Sequence, residues 1–274
     1  MDCGQKGLPA PVLEGRVEKL RVKVYGNRTE MGVAAAAEAA EILRQAIAAQ
    51  GYARAIFASA ASQADMLAAL EAEPGIDWSK VTAFHMDEYI GSNVPERERF
   101  GPWLKYRFFD KVHPGRVHYL NGQAADPRAE CARYAALLRE APIDFCALGI
   151  GETGHLAFND PPVCDFADPE WVKVVEIDEL SREQQVRDGA FATVDEVPKT
   201  AFTLTMPALL TSRRMVTVVP GPTKKEAIKR TLTAAISTDC PSSILRQISR
   251  ASLYLDSQSF SLVTPCVLKE SECA

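Results

Sequence analysis

Short runs of apolar, β-branched and aromatic residues alternate along the chain with longer stretches whose apolar positions recur every three or four residues. The first pattern predicts strands, the second amphipathic helices. Strands are expected at Leu20–Tyr25 (LRVKVY), Arg54–Ala58 (RAIFA), Val81–Met86 (VTAFHM), Ile143–Ile150 (IDFCALGI), Trp171–Ile177, Ala201–Leu204, Met215–Val219 and Ala251–Leu255. Helices are expected at Glu30–Gln50, Gln63–Leu70, Arg99–Phe109, Arg128–Arg139 and Thr223–Leu232, the first of them rich in alanine, the strongest helix former. Strands separated by helical crossovers make βαβ units, so the predicted fold class is α/β: a doubly wound, mostly parallel, Rossmann-like sheet with helices on both faces. Runs such as MVTVV (215–219) show no polar face, as befits strands covered on both sides. The pattern reads as one domain over 17–263, with loosely held tails at 1–16 and 264–274.

In open parallel sheets, ligands bind beyond the carboxyl ends of the strands, so the loops after strands carry the candidate chemistry. After VTAFH come Met86, Asp87, Glu88 and Tyr89. A lone Asp-Glu pair is commonly a solvated turn. At the rim of a site either carboxylate is a candidate general base, made stronger by partial desolvation. After IDFCALGI come Gly151, Glu152, Thr153, Gly154, His155 and then Asn159 and Asp160. The glycines let the backbone approach a ligand closely. Asp160 is placed to accept one ring N–H of His155 and fix its tautomer. After MVTVV, Thr223 and Glu226 have capping-box spacing, and Lys224 falls in the first helical turn, where a cation is unfavourable unless an anion is bound there. After RAIFA, the run Ser59, Ala60, Ala61, Ser62 precedes another helix, with Ser62 and Asp65 spaced as a second cap, and offers further N–H groups to a phosphate.

Composition narrows the partners. Of 274 residues, 47% are hydrophobic and 24% charged, with a formal net charge of -5. There is no basic excess to attract nucleic acid or an anionic membrane, and no apolar stretch of membrane-spanning length. An anion would have to be met by a local positive site. The seven cysteines are odd in number, widely spaced and without a CxxC pair, which suggests neither a disulfide framework nor a metal site. Together with a start that has no apolar signal-like core, they lead to the expectation of a cytoplasmic protein.

Taken in order, the segments FHMDEYIG (84–91), NGQAADPRAECARY (121–134), LGIGETGHLAFNDPP (148–162), EVPKTAFTLTMPALL (196–210) and VVPGPTKKEA (218–227) resemble the glucosamine-6-phosphate deaminase (isomerase) family, whose fold is shared with 6-phosphogluconolactonases. The resemblance spans roughly residues 50–256, and the run AFND favours the deaminase branch. It implies a phosphorylated amino sugar as substrate, no metal or organic cofactor, and a homo-oligomer as an arrangement seen among relatives. It also implies ring opening by a histidine, proton transfer from C2 to C1 by a carboxylate, and loss of ammonia to leave fructose 6-phosphate. Asp87 matches the family's base, His155 its ring-opening histidine, Asp160 the position of a supporting glutamate, and Lys224 the phosphate-binding lysine. Arg182 is taken as the phosphate-binding arginine, ahead of the neighbouring Arg187. Three departures stand out: Thr153 replaces an aspartate of the proton relay, Asp160 is one methylene short, and the phosphate loop Ser59–Gln63 lacks glycine. These departures point to a shifted substrate such as galactosamine 6-phosphate or to slowed catalysis, and the loss at Thr153 to sugar-phosphate sensing without turnover; lactone hydrolysis is a further alternative because the lactonases share the sheet, phosphate site and histidine.

Overall fold

The computed structural model describes residues 7–91 and 94–268. Residues 1–6 and 269–274 of the expected tails, with Cys3 and Cys273, lie outside the described residues. The strands are β1 (Leu13–Val17), β2 (Leu20–Tyr25), β3 (Ala53–Phe57), β4 (Val81–His85), β5 (Asp87–Tyr89), β6 (Arg116–His118), β7 (Phe145–Leu148), β8 (Val172–Glu176), β9 (Thr200–Leu204), β10 (Arg214–Val219) and β11 (Ala251–Asp256). The helices are α1 (Arg28–Gln50), α2 (Ala64–Ala72), α3 (Phe100–Leu104), α4 (Asp110–Val112), α5 (Pro127–Arg139), α6 (Glu179–Arg187), α7 (Met206–Leu210) and α8 (Lys225–Thr233).

Eight strands form the main sheet in the order β1-β2-β11-β10-β7-β3-β4-β6, parallel throughout except for the β1–β2 hairpin. All residues of β3 and β7 are buried, because helices cover both faces. One face packs Met31, Leu43, Met66, Leu67 and Phe108 from α1, α2 and the 100–112 segment. The other packs Tyr134, Leu138, Leu209, Ile228 and Leu232 from α5, α7 and α8. The expected doubly wound α/β architecture is therefore present. α1 starts where the Asn27 side chain accepts the Glu30 N–H at 2.9 Å, and ends at Gly51, whose φ of 83° suits a left-handed cap. No helix among the described residues is long and apolar enough to cross a membrane.

Three expectations need correction. The tail assigned to 1–16 contains most of β1: Leu13–Val17 pairs with β2 across a two-residue turn, which ties that segment to the sheet edge. The helix expected over Arg99–Phe109 is split into α3, a π-helical turn over Lys105–Phe109 and α4. Most consequentially, the Trp171–Ile177 and Ala201–Leu204 runs do not join the parallel sheet. They become β8 and β9 of a separate antiparallel sheet in the order β5-β9-β8, over its own core of Tyr89, Phe158, Val175, Phe191 and Val197. The physical reason is visible in β8, where exposed positions interrupt the buried ones, as in a strand with one solvated face.

Candidate active site

The chain passes from the main sheet into the small one through a single residue, Met86, between β4 and β5. Asp87 thus starts a strand where a loop was expected, and its backbone is fixed twice. On the small sheet it stands opposite Thr203 of β9. On the other side it is held by His85, which is fully buried. The Leu120 N–H donates to His85 Nε2 at 2.9 Å, so the ring proton lies on Nδ1 and is donated to the Asp87 carbonyl, also at 2.9 Å. Burial pushes the His85 pKa down to about 4 and keeps the ring neutral. The Asp87 carboxyl lines the cavity described below, and burial, then the charge of Glu88, raise its pKa well above the ordinary carboxylate value.

Glu88 points the other way, as alternate residues of a strand must. Its carboxylate accepts the N–H groups of Tyr89 (2.9 Å), Phe100 (3.2 Å) and Gly101 (2.9 Å), and it does not line the cavity. Burial raises its pKa to about 7 against the pull of those N–H groups and of Arg99. Its expected catalytic role is therefore corrected to a structural one: it pins the start of α3 to β5.

The glycine-rich loop follows β7. Gly154 has φ of 89° and donates its N–H to the Gly151 carbonyl at 3.0 Å, while the Gly151 N–H is accepted by His155 O at 3.0 Å. A Cβ on Gly151 would lie 1.9 Å from His155 Nε2 and one on Gly154 would lie 2.8 Å from Cys240 Sγ, so the tight turn needs both glycines. His155 Nδ1 is 2.7 Å from Asp160 Oδ1, so the shorter carboxylate does reach the ring. Thr153 Oγ1 is 2.8 Å from Nδ1 and 2.9 Å from Asp160 Oδ1. Burial opposes the charge of Asp160, but His155 and the hydroxyls of Ser181 and Thr153 hold its pKa below the usual value. An ionised carboxylate only accepts, so Nδ1 carries a proton, and in the neutral ring Nε2 is the nitrogen left free. His155 lines the cavity; Thr153 and Asp160 stand behind it. Asn159 is structural: its Nδ2 donates to Leu156 O and Leu204 O at 2.8 and 2.9 Å, tying the loop to β9.

A cavity of about 650 Å³ opens beyond the carboxyl ends of β3, β4, β7 and β10. Its other end is made of two helix starts. The Ser59–Ser62 loop leads through a 3₁₀ turn (Ala61–Gln63) into α2, with no side-chain cap at Ala60 or Gln63. The expected Ser62–Asp65 cap does not form, because Asp65 is bonded to Arg28 Nε at 2.7 Å. The Pro222–Lys224 turn leads into α8, again with no side-chain cap. The expected capping box of Thr223 and Glu226 is absent because the turn begins one residue earlier, at Pro222, after Gly221, whose N–H is held by Asp256 Oδ2 at 3.0 Å. Lys224 is 6% exposed, and its Nζ comes only within 4.0 Å of Glu152 Oε1. Burial lowers its pKa, against the charges of Asp188 and Glu152. Ser59, Ala60, Ala61, Ser62 and Lys224 are thus brought together as expected.

Arg182 is not with them. Its guanidinium donates to the carbonyls of Val194 and Val197, where it closes the turn before β9, and it does not line the cavity. Arg187 is occupied by Glu152 at 2.5 Å. Three arginines line the cavity, Arg28, Arg97 and Arg107, together with Gln184, Gln185 and Asp188 of the α6 region; Arg28, whose guanidinium also reaches the Ala61 carbonyl, is paired with Asp65 at 2.5 Å. Arg28 follows β2 and was open to the same loop-after-strand reasoning that found Lys224. Ser181, whose Oγ lies 2.7 Å from Asp160 Oδ1, carries no mark in the sequence.

Residues 26–254 match the family model described as glucosamine-6-phosphate isomerases/6-phosphogluconolactonase. A glucosamine-6-phosphate deaminase of an Exiguobacterium species is 34% identical over 184 residues, which are 67% of this chain and 70% of the relative. One from Bacillus thuringiensis is 30% identical over 195 residues, 71% and 72% of the two chains. Among solved structures, a monomeric glucosamine-6-phosphate deaminase superposes with a TM-score of 0.80 at 28% identity, covering 88% of this chain and 99% of that one. A 6-phosphogluconolactonase from Shewanella baltica reaches 0.69 at 16% identity over 88% and 99%, a likeness of fold alone.

Proposed function

The chain belongs to the family of glucosamine-6-phosphate isomerases and 6-phosphogluconolactonases, and from that premise we propose that it is an enzyme of the deaminase branch, converting glucosamine 6-phosphate and water to fructose 6-phosphate and ammonia. The observation that carries this reading is the shape of the cavity. A buried carboxyl, Asp87, and a histidine whose Nδ1 is held by Asp160 share one end, and a buried lysine, 4.0 Å from its nearest carboxylate oxygen, lies between two uncapped helix starts at the other.

The phosphate docks on the Ser59–Ser62 and Gly221–Lys224 loops, where helix dipoles and Lys224 meet its charge. His155 Nε2 accepts the proton of the anomeric hydroxyl and returns it to the ring oxygen, which opens the ring. Asp87 then takes the C2 proton and delivers it to C1, and water replaces the nitrogen at C2 as ammonia leaves. Desolvation strengthens Asp87 as a base once it is ionised, and the positive amino group of the substrate favours that ionised form. The deaminase reading is preferred over lactone hydrolysis because the relatives at 30% identity or more are deaminases, whereas the lactonases resemble this chain in fold.

The test is ammonia release from glucosamine 6-phosphate by the purified protein, with galactosamine 6-phosphate and a 6-phosphogluconolactone alongside and Asp87→Asn as control. Release from glucosamine 6-phosphate that vanishes in the control supports the reading. Lactone hydrolysis without ammonia, or binding without turnover, overturns it. A structurally similar deaminase is described as monomeric. The proposed working unit is therefore a monomer rather than a homo-oligomer, and sedimentation at micromolar concentration tests it. The proposed location is the cytoplasm, on the cysteine spacing.

A further inference from the structure

Ser181 stands in the first turn of α6, 1% exposed, with its Oγ 2.7 Å from Asp160 Oδ1 and 3.0 Å from His155 Nδ1. Thr153 makes the same two contacts from the glycine-rich loop, at 2.9 and 2.8 Å. Because Asp160 is ionised, both hydroxyls give it their protons, which leaves their lone pairs available to the Nδ1 proton. Three donors therefore converge on one carboxylate oxygen, while Asp160 Oδ2 is buried without a partner. That asymmetry fixes the carboxylate. Turning it would abandon all three bonds, and moving the imidazole proton to Nε2 would set the Nδ1 lone pair against Oδ1 at 2.7 Å.

We infer that Ser181 is a positioning residue that, paired with Thr153, locks His155 with its proton on Nδ1 and so keeps Nε2 free to take the sugar hydroxyl proton. The inference rests on the deaminase reading for its chemistry but not for its geometry. Ser181 differs from Thr153 in where it comes from. Thr153 belongs to the same turn as the histidine. Ser181 belongs to α6, whose next turn brings Gln184, the acceptor of the Glu152 N–H at 3.0 Å, and leads to the cavity-lining Gln185 and Asp188. The hydroxyl thereby joins the cavity wall to the catalytic histidine.

The experiment compares the intact protein with Ser181→Ala and Ser181→Cys, the second retaining the side-chain volume with a weaker donor. Two readouts are taken: steady-state ammonia release, and the imidazole nitrogen NMR signals of His155, one of only four histidines. Removing the hydroxyl is expected to lower kcat about tenfold with KM within about twofold, Ser181→Cys lying between. In the same samples His155 is expected to show one pyrrole-type Nδ1 and one pyridine-type Nε2 in the parent protein, averaging toward mixed tautomers in Ser181→Ala. An unchanged kcat, a change confined to KM, or a single unaltered tautomer in both variants overturns the inference. If the parent protein releases no ammonia, the deaminase reading fails while the NMR comparison still decides the role of Ser181. If Ser181→Ala does not fold, Ser181→Cys decides it by the same readouts.

Discussion

The two ends of the cavity are built on opposite plans. At the catalytic end nearly every polar group is answered from within: His155 by Asp160, Asp160 by Thr153 and Ser181, the Asp87 backbone by His85 and β9. At the anion end the chain withholds its own partners. Both helix starts lack side-chain caps, and Lys224 is buried with its nearest carboxylate oxygen 4.0 Å away. The first end is preorganised for chemistry, and the second is left to be completed by a ligand. An enzyme that spends binding energy at a remote phosphate to align a reacting carbon needs this division.

The contrast is open to attack by substitution. The largest effect is expected from Asp87→Asn, which should reduce ammonia release about a thousandfold or more while calorimetric binding of the sugar phosphate stays within about twofold. Comparable loss of binding would mean that the two ends are not separate. Gly151→Ala puts a methyl group into the space of His155 Nε2 and should cost about a hundredfold in kcat. Lys224→Met should act in the opposite sense on stability and binding. Affinity for the sugar phosphate should fall about ten- to a hundredfold, yet the free protein should melt higher, because a buried cation without a close partner has been removed. A lower melting temperature in the absence of ligand would show that Glu152 and Asp188 already satisfy the lysine.

Glu88 gives a titration that is independent of turnover. Its carboxyl ionises at about 7 in the folded chain against 4.5 for an ordinary glutamate. Below pH 4.5 it is protonated in both states. Between 4.5 and about 7 the folded chain keeps a proton the unfolded chain has lost, so stability falls as pH rises through that window, by roughly 3 kcal/mol in all. Glu88→Gln should flatten that slope in denaturant titrations. The smallest effect is expected from Arg182→Ala, which should lower stability by about 1 to 2 kcal/mol and leave KM unchanged. A raised KM would return this arginine to the phosphate site.

Much of this was legible in the chain because parallel strands and their loops leave local marks. The apolar runs of β3, β7 and β10 located the sheet, and the loops after them held Ser59, His155 and Lys224. Asp87 was found for the same reason, although it opens a strand. What escaped was non-local. The departure of β8 and β9 into a second sheet depends on which partner each strand meets. The hydroxyl of Ser181 acquires meaning only when α6 packs against a loop 26 residues earlier. Arg182 was misplaced because a guanidinium can serve a carbonyl turn as readily as an anion, and sequence proximity to the site does not say which.

The single residue that joins the two sheets turns the choice of base into a question of parity. Successive side chains of β5 face opposite ways, so Asp87 meets the cavity and Glu88 the backbone of α3 only because one residue, and not two, follows β4. Adding one residue beside Met86 would present the glutamate to the cavity and send the aspartate into the wall. Which carboxyl faces the cavity is thus written in the length of the connection as much as in the letters on either side of it.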